Sequence, residues 1–232
     1  MTRSFEKPGI LGPLVREASA MVRQARMLPL DLGESHWPGS GPRCVLVHGL
    51  YATAGVWRPL REMLKDELGL PSSTFSYGLG PGVSELRGRL EQLIDRIAGE
   101  GPIHLLGHSL GGLVVSDYVQ NGRLDPRVVQ TVTLCAPFRG TRLHRLVPGD
   151  AGRDLAVDSP LLPLLRAGNS RRLRVPQLTI VAGEDSRIQP QAYPEFGDQR
   201  LIPGVTHNAI LFDRRAWQHI TDRLRAGVPA RT

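Results

Sequence analysis

The sequence predicts one α/β domain: about six mostly parallel strands, doubly wound, with helices on both faces and a small cap insertion. Three observations predict it. From residue 43 to residue 224, short apolar runs alternate with patterns of helical period, as β-α-β units require. The apolar runs lack the in–out alternation of half-solvated strands, so they belong to a sheet buried on both faces. A chain of 232 residues suffices for one sizeable core and is short for two. Right-handed crossovers then wind the sheet in both directions.

Residues 1–42 read as an N-terminal amphipathic helix and linker, and residues 43–232 as the domain proper. Leu11, Leu14, Val15, Ala18, Val22, Ala25 and Leu28 recur at helical spacing within residues 10–28, while Arg16, Arg23 and Arg26 project elsewhere. Such a helix packs on the domain or, alternatively, makes weak contact with a membrane surface through its basic and apolar faces. Residues 33–42 are rich in Gly, Pro and Ser and read as linker. Arg43–Val47 is a buried-type strand, Val56–Leu68 a helix, Ser73–Tyr77 a strand, and Val83–Ala98 a helix ended by Gly99. The strand Ile103–Leu106 leads into a helix over Leu110–Val119. Val128–Leu134 and Gln177–Val181 are further strands, Gln199–Ile202 a short one, and Arg214–Leu224 a closing helix. The irregular insertion spans roughly 138–174.

Composition narrows the function classes. Apolar residues make up 41% and charged residues 22%, as in ordinary globular domains. The net charge is +7, nearly all from arginine, since lysine occurs only at Lys7 and Lys65. The arginines are scattered, densest at Arg171, Arg172 and Arg174. With aromatics at 5% and no binding motif, nucleic acid is not an expected partner. Cys44 and Cys135 sit in strand-like runs and read as buried free thiols. No Cys or His spacing suits a metal. Glu6, Lys7, Arg16 and Glu17 interrupt any signal-peptide stretch, and no run approaches a membrane span. The chain as it stands reads as cytoplasmic, or as secreted if a signal sequence has been removed. Nothing in it fixes an oligomeric state.

The sharpest signal is Gly107-His108-Ser109-Leu110-Gly111-Gly112, which follows an apolar strand and opens an apolar helix. That context is a nucleophile elbow. Gly107 and Gly111 let strand and helix approach without collision, and the helix N-terminus faces developing negative charge. A serine hydroxyl needs a base, and in enzymes with this elbow the acid and then the histidine follow the serine along the chain. Of seven histidines, His36, His48, His104 and His108 precede the serine, His144 precedes any strand-end acid, and His219 lies inside the closing helix. His207 remains, in a loop after the last strand. The acid should follow the strand Gln177–Val181, where Glu184 and Asp185 are adjacent rivals. Asp185 is favoured, because the turn begins at Gly183 and Ile188 can pack back as an anchor. The alternative is a carboxylate that caps the turn or pairs with Arg187. Two backbone N–H groups should form an oxyanion hole: Leu110, and Leu50 of the loop His48-Gly49-Leu50-Tyr51.

These segments, with Gly183-Glu184-Asp185 and Gly204-Val205-Thr206-His207, resemble α/β-hydrolases, specifically small bacterial lipases and esterases. The resemblance covers about residues 43–224. Ala136-Pro137-Phe138-Arg139-Gly140-Thr141 looks like a lipase-family segment that usually reads Pro-His-x-Gly-Thr, with Phe138 in place of His. No N-terminal hairpin is visible, so the chain resembles the minimal α/β-hydrolase fold. The resemblance implies chemistry without metal or organic cofactor and a small-molecule or lipid ester as substrate. It implies cleavage of carboxylic esters through an acyl-enzyme on Ser109, with His207 as base and Asp185 orienting it. Thioesters or amides would use the same groups, and a non-catalytic binding protein on this fold is the third reading. In the insertion, Ser159-Pro160-Leu161-Leu162-Pro163-Leu164-Leu165-Arg166-Ala167-Gly168 carries a helix's marks, with Ser159 as cap. Its leucines are core, or they form a lid in which Leu161 and Leu165, with Phe138, Leu143 and Tyr51, line an acyl pocket.

Overall fold

The computed structural model describes residues 11–39, 41–168, 175–186, 194 and 196–226. Seven strands form one sheet in the order β1-β3-β2-β4-β5-β6-β7. They are β1 (Glu34–Trp37), β2 (Arg43–Val47), β3 (Ser72–Phe75), β4 (Ile103–His108), β5 (Val128–Leu134), β6 (Gln177–Ala182) and β7 (Asp198–Ile202). All neighbours are parallel except β1, which runs antiparallel along β3. The α-helices are α1 (Leu11–Ala25), α2 (Arg58–Leu68), α3 (Val83–Arg96), α4 (Leu110–Asn121), α5 (Gly149–Asp154), α6 (Leu161–Ala167) and α7 (Arg214–Ala226). None of the described helices is long and apolar enough to cross a membrane.

The period of two along β2 divides the core. Val45 and Val47 point to one face, among Leu86, Leu90, Leu105, Leu113 and Tyr118 of α3, β4 and α4. Cys44 and Leu46 point to the other, among Leu60, Leu64, Val132, Ile180 and Ile220. Each fully buried aliphatic side chain contributes about 1.5–3 kcal/mol, so both helical layers are held mainly by this apolar contact. The helix α4 is buried along nearly its whole length, and its first half, Leu110–Val115, is wholly apolar or glycine.

Three expectations change. The stretch read as linker at residues 33–42 contains β1, giving seven strands instead of about six. Its residues alternate exposed and half-buried, and it is only four residues long between turn formers, so its strand signal is weak. Leu11–Ala25 is helical, but its polar side meets the domain: Ala20 and Gln24 are buried while Leu11, Leu14, Val15 and Val22 are exposed. The insertion holds a 3-10 turn at Arg142–Leu146 and α5 besides the expected helix, α6. Ser159 does not cap α6; Pro160 occupies the residue before its first turn, and Ser159 lies buried. The Arg171, Arg172, Arg174 cluster, Arg187 and the Ile188 anchor lie outside the described residues.

Candidate active site

The sheet brings four loops together at the carboxyl ends of β2, β4, β6 and β7, where a parallel sheet places its ligands. Ser109 follows β4 directly. Its backbone adopts φ 52° and ψ −121°, a strained conformation that lifts the side chain off the sheet. Its N–H donates to the Leu134 carbonyl at 2.9 Å, and its carbonyl accepts from Gly112 N–H at 2.9 Å. The flanking glycines are required by space. A Cβ at Gly107 would strike the Gly111 carbonyl, and one at Gly111 would strike the Val47 and His48 carbonyls.

His207 Nε2 stands 3.1 Å from Ser109 Oγ, and His207 Nδ1 stands 2.6 Å from Asp185 Oδ2. The Asp185 carboxylate is fully buried, and the imidazole nearly so. Main-chain bonds tie their loops together: Gly183 N–H donates to the Ile202 carbonyl and Glu184 N–H to the Val205 carbonyl, both at 2.9 Å. Only 22 residues separate Asp185 from His207, and these bonds hold the two in one geometry. Glu184, the rival acid, points away and pairs with Arg16 of α1. In this series the imidazole can take the proton of the serine as it attacks an electrophilic carbon, while the buried carboxylate orients the ring and stabilises its charged form without taking the proton.

Leu110 is the first residue of α4, where helix N–H groups lack partners within the helix. Leu50 follows Gly49, which is packed so tightly that a Cβ there would press on Ser109 and His108. Sequence reasoning set His48 aside, yet it shapes this turn. It is buried, its Nδ1 lies 2.7 Å from the Gly49 carbonyl, and its Nε2 accepts from Tyr77 N–H at 3.2 Å. The Nδ1 must therefore carry the proton and donate. The ring stacks on Tyr77 at 4.0 Å, and Tyr77 hydroxyl donates to the His48 carbonyl. Burial pushes the His48 pKa down to about 4, so the imidazole is neutral and its donor–acceptor pattern is kept at neutral pH. No spacing rule points to this pair, because its partners are main-chain groups.

A cavity of about 110 Å³ opens above Ser109. Leu50, Tyr51, Pro137, Leu143, Leu146, Val147 and Leu155 supply its apolar lining, with His108, Thr141, His207 and Asn208 as polar edges. His108 also lies behind His207, its Nε2 3.0 Å from the His207 carbonyl. Tyr51 and Leu143 are thus on the pocket wall. Phe138, Leu161 and Leu165 are not: Phe138 and Leu165 are buried in the core on the α4 side, and Leu161 packs against that core. Helix α6 is fastened there by Gln120 Nε2, which donates to the Leu165 carbonyl at 3.0 Å. The wall that α6 was expected to form comes from residues 141–155, a stretch without a strong helical pattern.

Among the described residues, Cys135, Asp185 and His207 are the one cluster whose donor atoms could converge on a metal ion. The Asp185–His207 hydrogen bond occupies two of those donors, so a cation there would have to break it. Cys135 has φ 47° at the end of β5, and burial, with Asp185 next in effect, pushes its thiol well above the usual range. Cys44 and Cys135 lie on opposite sides of β4 and are free and buried.

The profile of the alpha/beta hydrolase family matches residues 44–231. Among solved structures, the chain is similar to the lipase BlEst2 of Bacillus licheniformis, at 14% identity and a TM-score of 0.68, over 82% of this chain and 97% of that one. It is similar to Est1E of Butyrivibrio proteoclasticus, at 16% identity and a TM-score of 0.63, over 83% and 94%. A monoglyceride lipase of Saccharomyces cerevisiae gives 14% and a TM-score of 0.62, over 85% and 92%. At these identities the likeness is one of fold. Curated protein sequences give no match. With the family profile spanning four-fifths of its length and the sheet and elbow in the expected order, the chain belongs to the alpha/beta hydrolase family.

Proposed function

We propose that this protein hydrolyses carboxylic esters through an acyl-enzyme on Ser109. The observation that carries the reading is the continuous chain Ser109 Oγ, His207, Asp185, at 3.1 and 2.6 Å, beneath a largely apolar cavity. His207 takes the hydroxyl proton as Ser109 attacks the acyl carbon, and the charged imidazole is stabilised by Asp185. The N–H groups of Leu50 and Leu110 face the oxygen on which negative charge develops. Collapse expels the alcohol, which takes the proton from His207. Water, activated by the same base, then releases the acid and restores the serine. An ester is favoured over an amide because an alkoxide leaves more readily than an amide nitrogen, while a thioester would use the same groups.

Labelling by a fluorophosphonate probe tests the reading. Wild-type protein is expected to be modified on Ser109, and Ser109→Ala protein is not. Equal labelling of both, or no turnover of p-nitrophenyl butyrate by the wild type, would remove the ester reading.

A further inference from the structure

The helix α1 is mounted inside out. Leu11, Leu14, Val15 and Val22 fall on about a third of its circumference at helical spacing, and all four are exposed, Leu11 at 78%. The opposite side holds the protein through polar ties. Arg16 pairs with Glu184, Glu17 accepts from both the main-chain and side-chain N–H groups of Asn208, and Gln24 donates to the Tyr51 carbonyl at 3.0 Å. Each of these partners is next in sequence to a site residue: Asp185, His207 and Leu50. So α1 grips the rims of three catalytic loops and turns an apolar stripe outward.

Exposed apolar residues also stand at the pocket mouth, beside the Tyr51 carbonyl that Gln24 holds. Tyr51 is half exposed there, and its hydroxyl donates to the carbonyl of Leu146, itself 72% exposed. Exposed Arg142 and Arg145 alternate with Leu143 and Leu146 on that rim, with Asp158 beside them. Arg23, in the last turn of α1 and over the Phe212 ring, and Arg26, just beyond the helix, border the stripe, while the helix's only acid, Glu17, is turned inward onto Asn208. Monomeric proteins rarely leave contiguous apolar surface of this kind uncovered.

We infer that α1 and the neighbouring pocket rim form a docking surface for an anionic lipid layer, which seats the mouth of the cavity against the lipid. Apolar side chains enter the acyl boundary and the bordering arginines meet lipid phosphates. A second copy fits less well. A two-fold pairing would set the same arginine-bordered faces of a chain of net charge +7 against each other. The inference rests on the helix and does not need the ester chemistry, although that chemistry gives the docking a purpose.

Flotation with vesicles tests it, using Ser109→Ala protein so that nothing is hydrolysed. The protein is expected to float with phosphatidylcholine vesicles containing about one-third phosphatidylglycerol, and to release at high salt. Leu14→Asp/Val22→Asp is expected to lower the bound fraction at least about tenfold. In an otherwise wild-type background that pair should leave p-nitrophenyl acetate hydrolysis unchanged. Leu14→Ser/Val22→Ser gives an intermediate loss and serves if the aspartates disturb folding. No flotation of the starting protein, undiminished flotation of the variants, or equal flotation with pure phosphatidylcholine would overturn the inference. So would a dimer in solution that the same substitutions dissociate. Flotation without ester turnover by the wild type would support the docking and remove the proposed function alone.

Discussion

Ser109, His207 and Asp185 are joined by short, directional contacts, so the proposed chemistry turns on single atoms. Ser109→Ala or His207→Ala is expected to lower kcat for p-nitrophenyl butyrate by at least about 10³-fold with little change in folding. Wild-type turnover in either variant would refute their roles. Asp185→Asn should cost far more activity than Glu184→Gln, because Asp185 holds His207 at 2.6 Å whereas Glu184 engages Arg16 on α1. The reverse ranking would move the acid to Glu184. The thiols give a separate check. Burial pushes Cys44 up to about 12 and Cys135 well above its usual value, so both stay protonated. Ellman's reagent should find none in the native protein and two after denaturation. Detection of native thiol, or of fewer than two on unfolding, would contradict their burial or their free state. These residues were legible because the elbow demands Gly, Ser and Gly at fixed spacing and because loop order sorts the histidines. His48 and Tyr77 were not, since a role played through carbonyl and N–H partners leaves no pattern of residue types.

Elements differ in how openly their sequence declares them. The strand at Val128–Leu134 is found where the apolar run predicts it, and β2, β4 and β6 end within two residues of expectation, because burial on both faces concentrates apolar residues in these strands. Strand β1 and the short helices at residues 142–154 carry few buried residues and so little periodicity. The lid leucines show the limit from another side. An apolar helix announces that it is buried, but not against what. Leu165 lies in the core beside α4, while Leu143 lines the cavity at 43% exposure. Leu165→Asp is therefore expected to destabilise the protein by roughly 3 kcal/mol or more, as an unpaired charge in the core. Leu143→Asp should fold normally. It should flatten the rise of kcat/KM from p-nitrophenyl acetate to the hexanoate, because each buried methylene is worth about 0.8 kcal/mol to a longer chain. If Leu165→Asp unfolds no earlier than wild type, or Leu143→Asp keeps the full chain-length preference, the wall of the pocket has been placed on the wrong element.

At the scale of the molecule, the sheet stores two neutral histidines whose protonation opposes folding. His48 directly follows β2, and His104 lies within β4, where its Nδ1 accepts from Gln130 Nε2 at 2.8 Å. Among the described residues its Nε2, which then carries the proton, has no hydrogen-bond partner. Burial pushes both pKa values down to about 4 from the ordinary 6.5. The unfolded chain therefore takes up these two protons first as pH falls. The stability they contribute is full above pH 6.5 and is lost progressively down to about pH 4, at most roughly 3 kcal/mol for each. The carboxylates of Asp31, Asp125 and Asp213, held below their ordinary range with arginine partners, add their loss only below about pH 4. Asp154, whose pKa burial raises, works in the opposite sense, and its window lies above the ordinary carboxylate value, not below it. Acid destabilisation should thus begin near pH 6.5, well before carboxylates titrate. In His104→Leu protein the leucine has nothing to protonate. Its Tm at neutral pH will fall through the lost Gln130 contact, but the decline of Tm between pH 6.5 and 4 should be about half as steep as in wild type. Parallel Tm–pH curves for the two proteins would show that His104 is protonated in the folded state and that the acid limb has another origin.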